Sequence, residues 1–428
     1  MKTINVGLLG LGNIGTGTYK VLEMNRKQIE SNAGVSIKIT RILEKDVNRK
    51  RDITVSPDLF TQNPDDIFLD PSIDIVIELL GGIEPASSFM LRAMGNGKHV
   101  VTANKAAIAA NFDAFMEAAK RNRVMFRFEA SVGGGIPILN ALTTALLANE
   151  YDEILGIVNG TTNYILTQMT EYGLDYEDVL KTAQEKGFAE ADHTADVEGH
   201  DVANKLSILI SLVFGVRVPP QEIPTAGITR ITKEDIRLAD QFGYKIKLLA
   251  TARRIANQLE CHVQPAFVPK DHPLASVNNE FNAIFVTGNA VDNLMFYGKG
   301  AGPLPTGSAV MGDVIEIAKA IAKGAAFDHY PEKAVKMLRY VGEGQNKYYV
   351  NMMVKDVPGV LGSISTTFGA YGIGIDSVLQ LSRDLTENRE VPLVFILHEV
   401  TRARLDEALD KIRSSKFASE IKSVIRVM

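Results

Sequence analysis

Cysteine is almost missing: the chain of 428 residues contains one, Cys261. A single cysteine closes no intrachain disulfide, which agrees with a reducing compartment. Histidine is sparse too, with seven scattered residues and no His/Cys group at zinc-ligand spacing. No apolar run approaches the roughly 20 residues that cross a bilayer. The N-terminus, MKTINVGLLGLGNIG, has a short glycine-rich run where a secretory signal would carry a basic segment, an apolar stretch and a small-residue cleavage site. Positive charge is not in excess, since the formal net charge is −5. A phosphate-tracking surface is therefore not expected. These absences predict a cytoplasmic protein that meets neither membrane nor nucleic acid.

What is present is ordinary globular material, 46% hydrophobic and 23% charged, enough for two or three domains with substantial cores. KTINVGLL (2–9) has the apolar and β-branched density of a strand buried on both faces. GLGNIG follows, with Gly10, Gly12 and Gly15 among Leu11, Asn13 and Ile14, and opens a helix-period segment running to about Glu30. One glycine permits the tight turn, a second lets backbone approach a pyrophosphate, and a third allows close helix–strand packing. The helix N-terminus supplies N–H groups for the phosphates. Alone the fingerprint is weak; between a first strand and a helix it is moderately strong.

Further strands are expected at 35–43, 74–80, 99–103 and 124–130, with helices at 85–94 and 104–120. This alternation predicts a parallel sheet with crossover helices. Ligands then sit beyond the carboxyl ends of the strands, on the rim carrying Gly10–Gly15, Gly81-Gly82, Asn104-Lys105 and Glu129. At the end of the second strand, Glu44 suits a ribose 2′-hydroxyl and so NAD. Lys45, with Arg49, Lys50 and Arg51 nearby, suits a 2′-phosphate and so NADP. Both remain open, as does a merely solvated loop.

Beyond 131 the pattern reads as α+β, with a helix at 139–148, a strand ending at Asn159-Gly160 and a helix opening at Thr161 or Thr162. Strand-rich sequence fills 225–299. GKGAGPLPTGSAV is a second glycine-rich loop, leading to a helix capped near Ser308 that packs back on the first domain. The stretch 341–347 reads as a linker, and the order after it is the β-α-β-β-α-β of a ferredoxin-like domain. The predicted class is α/β: a Rossmann-type nucleotide-binding domain over 1–130, joined by a helix near 308–340, an α+β substrate-binding and dimerisation domain over 131–310, and a ferredoxin-like domain over 347–428.

The densest chemistry lies in GFAEADHTADVEGHDVANKL (187–206). Asp201 and Lys205 stand one helical turn apart. A surface ion pair would be worth roughly 0.3–0.5 kcal/mol. The helix, however, continues as LSILISLVFG, too apolar for a solvated face, and several carboxylates converge upstream. A cleft lysine among carboxylates stays protonated and can give its proton to an alkoxide. In a dehydrogenase reducing an aldehyde, hydride arrives at carbon and charge grows on oxygen, which a fixed ammonium stabilises. The surplus carboxylates suit a substrate α-ammonium. A dehydrogenase of a small amino acid is predicted.

GLGNIG, TANKA, EASVGGGIPI, NGTTNYIL, GFAEADHTADVEGHDVANKL and GAGPLPTG together resemble the homoserine dehydrogenase family over essentially the full length, and DVPGVLGSIS resembles an ACT domain. The resemblance implies reversible NAD(P)H-dependent conversion of L-aspartate 4-semialdehyde to L-homoserine. It implies Lys205 as proton donor, Lys105 near the nicotinamide and Ala103 as a further cofactor contact. It implies Glu190, Asp196 and Asp201 around the substrate ammonium, Asn159 and Thr161 lining the pocket, and Gly187 and Gly302 as backbone contacts. A monovalent cation, Na+, is implied on backbone carbonyls of Glu129, Val132, Gly134 and Ile136. An amino-acid effector, L-threonine, is implied at Asp356, Gly359 and Val360, with a homodimer or homotetramer. LEKD (43–46) departs from the family's frequent basic residue there, which leaves cofactor preference open. A phosphorylating aspartate-semialdehyde enzyme is set aside, because it needs an activated cysteine and Cys261 has no activating context. The alternatives kept are a dehydrogenase of another small amino-acid aldehyde and a non-catalytic nucleotide and amino-acid sensor, against which Lys105 and Lys205, with Glu190 and Asp201, argue.

Overall fold

A computed structural model describes residues 2–189, 192–324, 328–330, 338–342, 344–380, 390–415 and 417–428. The chain forms two compact units. One comprises Met1–Asp152, Asn204–Pro220 and Phe281–Lys336; the other comprises Glu153–Ala203, Gln221–Glu280 and Met337–Met428.

In the first unit, strands β1 (Thr3–Leu9), β2 (Ser36–Leu43), β3 (Phe60–Thr61), β4 (Ile75–Glu78), β5 (His99–Thr102) and β6 (Phe126–Arg127) are all parallel, in the order β3-β2-β1-β4-β5-β6. This is the doubly wound order whose direction reverses beside β1, where a crevice opens at the carboxyl ends. Every residue of β4 and β5 is buried, as expected of strands covered on both faces. The core joins Ile4, Val6 and Leu8 to Val21, Leu22 and Ile29, and also to Val310, Val314 and Ile317. The last three come from the helix Pro303–Lys323, which crosses the helix Asn13–Met24. The approach is too close for side chains: a Cβ on Gly17 would stand 2.0 Å from the Pro303 carbonyl oxygen, and one on Gly307 would stand 2.7 Å from the Gly17 carbonyl carbon.

The second unit holds a mixed sheet. Its strands are β7 (Tyr151–Ile157), β8 (Tyr244–Ile255) and β9 (Gln258–Pro269). The chain then makes β10 (Phe281–Gly288) and β11 (Asp292–Lys299), a hairpin belonging to the first unit. It returns with β12 (Arg339–Gly342), β13 (Gln345–Lys355), β14 (Ile375–Gln380), β15 (Glu390–Thr401) and β16 (Ala418–Val427). The order is β7-β8-β9-β16-β13-β15-β14, with β12 on β9. Helices Val360–Ala370 and Arg402–Arg413 cover β13–β16 and complete the β-α-β-β-α-β segment.

Several expectations change. The helix expected from Ser308 begins at Pro303, because prolines are tolerated in a first turn whose N–H groups have no partner, and Gly302 (φ +121°) caps it. The stretch 341–347 is not a linker: β12 pairs with β9 and β13 begins at Gln345. Gly344 is there for closeness, since a Cβ would overlap the Glu260 carboxylate. The helix expected over 139–148 shrinks to Ile138–Asn140 and a wide turn at Ala141–Ala145; the Thr143 hydroxyl donates to the Leu139 carbonyl at 2.7 Å and competes with the helical ladder. The expected long first helix breaks at Asn25.

Candidate active site

The first unit's crevice is built from backbone. β1 ends at the GLGNIG turn, and each glycine there has a distinct reason. Gly10 holds φ +92°, which favours glycine. A Cβ on Gly15 would stand 2.2 Å from the Gly10 carbonyl oxygen, whereas one on Gly12 would meet nothing within 4 Å. Gly12 is thus the open approach to a cavity of about 660 Å³, whose lining includes Leu11, Asn13, Arg49, Lys50, Arg51 and Gly302. Ile14 and Gly15 lie in the first turn of the helix Asn13–Met24, whose N-terminus favours anions. An unobstructed glycine, a helix N-terminus and basic side chains fit a dinucleotide and its phosphates.

Glu44 is already engaged. One carboxylate oxygen accepts the Leu11 N–H at 3.1 Å and meets Arg51 at 3.0 Å. Arg51 also donates to the Leu11 carbonyl at 3.0 Å. Glu44 therefore braces the glycine turn. Lys45 is exposed and is not part of the cavity lining, where Arg49, Lys50 and Arg51 stand instead.

Further along the rim, β4 ends in Glu78, which is fully buried. Its carboxylate accepts from the Thr102 hydroxyl at 2.6 Å and from the Leu80 N–H at 2.7 Å. Burial pushes its pKa above the usual carboxylate range, against those hydrogen bonds. Thr102 accepts the Asn104 N–H at 2.9 Å, and the Asn104 side chain donates to the Gly82 carbonyl at 2.7 Å while capping the helix at Ala107. This chain of bonds sets Ala103 and Lys105, the first residue of the helix Lys105–Asn122, on the rim. The sequence reading missed Glu78, although a lone carboxylate inside DIVIELL is itself a signal.

The loop 129–136 turns tightly. Gly133 and Gly134 have φ +73° and +55°, and a Cβ on Gly134 would stand 2.3 Å from the Gly300 carbonyl oxygen. The Glu129 carbonyl accepts from Val132 at 3.4 Å, and the Ile136 carbonyl lies 2.8 Å from the Ile138 N–H; each oxygen keeps a second lone pair. Neutral carbonyls at Glu129, Val132, Gly134 and Ile136 are the donor type for a hard cation. Among the described residues no group of three His, Cys, Asp or Glu forms a metal site. The Glu129 side chain braces the loop by accepting N–H groups of Leu139 and Asn140 at 2.9 and 2.7 Å, and burial raises its pKa to about 7. Asp313, which accepts the Glu129 N–H at 2.9 Å, is pushed well above the carboxylate range by its own burial.

In the second unit, side chains do the positioning. Asn159 caps the helix Gly160–Tyr172 through its carbonyl oxygen, 2.9 Å from Thr162 N. Its amide donates to Asp196 at 2.7 Å and to Asp201 at 2.9 Å. Asn159 thus draws together two carboxylates some forty residues further along the chain. Thr161 donates to the Phe188 carbonyl at 2.6 Å, fixing the start of the acidic stretch, and Gly187 turns there with φ +74°. Glu190 lies outside the described residues. The helix His200–Val213 carries Asp201, 5% exposed, in this unit and, one turn later, where the chain has passed into the first unit, Lys205, 8% exposed.

In the C-terminal segment Gly359 caps the helix Val360–Ala370 with φ +93°. Asp356 accepts from Gln380 at 3.2 Å. Cys261 is buried and its thiol is pushed to about 12 by burial, which leaves it without thiolate character. No helix among the described residues is long and apolar enough to cross a membrane.

Three family matches fall in chain order: the homoserine dehydrogenase NAD-binding domain over residues 10–129, homoserine dehydrogenase over 137–315, and the ACT domain over 348–416. The chain is 38% identical to homoserine dehydrogenase of Bacillus subtilis, covering 100% of this chain and 99% of that one. It is 39% identical to that of Synechocystis, with both chains covered in full. The crystal structure of a homoserine dehydrogenase from Thiobacillus denitrificans matches with a TM-score of 0.94 at 37% identity, covering 100% of this chain and 99% of that one. A hyperthermophilic archaeal homoserine dehydrogenase in complex with NADPH matches at 0.64 and 26% identity, covering 77% of this chain and 100% of that one.

Proposed function

The chain belongs to the homoserine dehydrogenase family, and from that premise we propose how its residues divide the work of interconverting L-aspartate 4-semialdehyde and L-homoserine with a nicotinamide cofactor. When bound, the nicotinamide supplies or receives the hydride. Lys205 gives the proton to the oxygen on which charge develops, and Lys105 stabilises that charge. Asp196 and Asp201, held together by Asn159, receive the substrate ammonium with Glu190, and Thr161 shapes the wall beside them. The observation that carries these roles is the Asn159 bridge between two carboxylates, with buried Lys205 one turn past the second.

NADPH is the preferred cofactor. Arg49 and Lys50 in the cavity lining support it, because two cations suit a 2′-phosphate, whereas Glu44 already holds Leu11 and Arg51. Backbone contacts to it come from Gly10–Gly15, Ala103, Gly187 and Gly302. The carbonyls of the 129–136 loop hold a monovalent cation, Na+, which would keep that loop in its turn. The 356–360 loop takes an amino-acid effector, L-threonine, and the chains assemble as homodimers or homotetramers, with the exposed Val357, Leu361 and Val378 in support. The protein works in the cytoplasm. Initial rates of NADPH and NADH oxidation with aspartate 4-semialdehyde test these roles, in the parent protein and in Lys205→Ala. Turnover near the parent level in Lys205→Ala sinks the proton-donor role, and an NADH preference sinks the cofactor choice.

A further inference from the structure

The second unit contains a charged hollow that the reaction does not use. On one side β16 is paired with β13 along most of its length, Tyr349↔Ile425, Val350↔Val424 and Asn351↔Ser423 among the pairs. On the other side it meets β9 only at Arg426↔Ala266 and Val427↔Phe267. Upstream the strands part, and the edge of β9 is taken by the 224–226 segment: Val263 donates to the Pro224 carbonyl at 2.9 Å and accepts from Ala226 at 2.8 Å. Residues 421–425 therefore border a cleft of about 310 Å³ instead of a neighbouring strand. A strand edge left open this way offers backbone N–H groups to a ligand.

The charges lining this cleft are of one sign. Arg230, Arg402, Arg413 and Lys422 contribute to it, and among the described residues no aspartate or glutamate does. Three of the cations pair with carboxylates outside the lining: Arg402 with Asp406 at 3.0 Å, Arg413 with Asp410 at 2.6 Å, and Lys422 with Glu234 at 3.0 Å. The Arg402 and Arg413 pairs are about half-exposed or more, and so weak and exchangeable, while the Lys422 pair is more sheltered. Among the described residues Arg230 has no ion-pair or hydrogen-bond partner. Arg402 and Arg413 stand at opposite ends of one helix, about 16 Å apart along its axis at 1.5 Å per residue. A single phosphate or carboxylate meets only one of these cations, and a short phosphate chain engages neighbouring members of the row without spanning it. Guanidinium groups spaced along a groove suit a row of phosphates, each able to take a bidentate contact.

We propose that the cleft between β16 and the 226–231 segment is a binding site for an oligophosphate, a chain of two or three phosphate groups either free or carried by a nucleoside. Its lining includes no residue of the 356–360 loop and none of the GLGNIG cavity. Because one wall is the last strand of the β-α-β-β-α-β segment and the other comes from residues 226–231, an occupant ties these two parts of the unit together and gives the enzyme a second small-molecule input.

The test is calorimetric titration of the full-length protein with tripolyphosphate and separately with ATP, under saturating NADPH so that the cofactor cavity is filled. Arg230→Ala and Arg413→Ala are measured in parallel. Both side chains are exposed, and an unchanged melting temperature without ligand verifies folding. Binding of either probe that weakens about tenfold or more in each variant, and further as salt is raised, supports the site. ATP alone identifies a nucleotide ligand, and equal binding of both identifies the phosphate chain. No binding of either probe, or binding that both variants leave intact, overturns the proposal.

Discussion

The cofactor rim and the carboxylate cluster are built in opposite ways. On the rim, backbone makes the surface: Gly10, Gly12 and Gly15 bring main chain to the crevice, and Glu44 and Arg51 brace the turn. In the cluster, side chains hold side chains, with Asn159 between Asp196 and Asp201. A backbone site recognises what its ligands share, such as phosphate. A side-chain site can be tuned to a single substrate, but each member depends on its neighbours. Substitutions on the rim should therefore act through shape, and substitutions in the cluster through charge and chemistry.

The largest effect should come from Lys205→Ala, a roughly hundred- to ten-thousand-fold loss of kcat with NADPH binding retained in a fluorescence titration. Comparable loss of cofactor binding would erase the division between rim and cluster. Next is pH. The pKa of Glu129 in the folded chain, raised by burial to about 7, lies above the ordinary glutamate value of 4.5, so between these values the folded chain keeps a proton that the unfolded chain has released. Stability should fall as pH rises through that window, by ~3 kcal/mol, as urea unfolding at pH 4.5 and 7.5 would register. Glu129→Gln should lessen the slope and leave the part due to Asp313 and Glu78, whose pKa values burial also raises. Gly15→Ala, which places a Cβ 2.2 Å from the Gly10 carbonyl oxygen, should cost ~1–3 kcal/mol and raise the cofactor KM while sparing the substrate KM at saturating cofactor. Asn159→Ala should do the reverse, raising the substrate KM about tenfold, ~1.4 kcal/mol. The smallest change should be Lys45→Ala, which leaves the NADPH/NADH preference alone, whereas Arg49→Ala with Lys50→Ala lowers it.

What could be read from the sequence follows the same contrast. GLGNIG was legible because the demands on it are local: a turn, a positive φ and a helix start within six residues. Lys205 was legible from its misplacement, a cation leading into LSILI. The Asn159 bridge was not, because residues 159, 196 and 201 meet only in three dimensions. The engagement of Glu44 by Arg51 hid for the same reason, and it changes which basic residues face the cavity. Gly344 misled because glycine signals both flexibility and tight approach, and only the neighbouring Glu260 tells them apart. Ser308 misled because a good capping residue stood near a start that two prolines and Gly302 had already set.

The Gly17–Gly307 crossing has a consequence for how the chain is made. The helix that opens the nucleotide crevice is one of the first segments to leave the ribosome, and the helix that covers it is about three hundred residues later. Until that partner emerges, Val21 and Leu22 face the place that Val310 and Val314 will fill. At roughly 5–20 residues per second of synthesis, the nascent sheet waits tens of seconds with an apolar flank uncovered. The chain's first domain by sequence is thus among the last to be finished, and a truncation before residue 303 would leave its nucleotide-binding half present but unclosed.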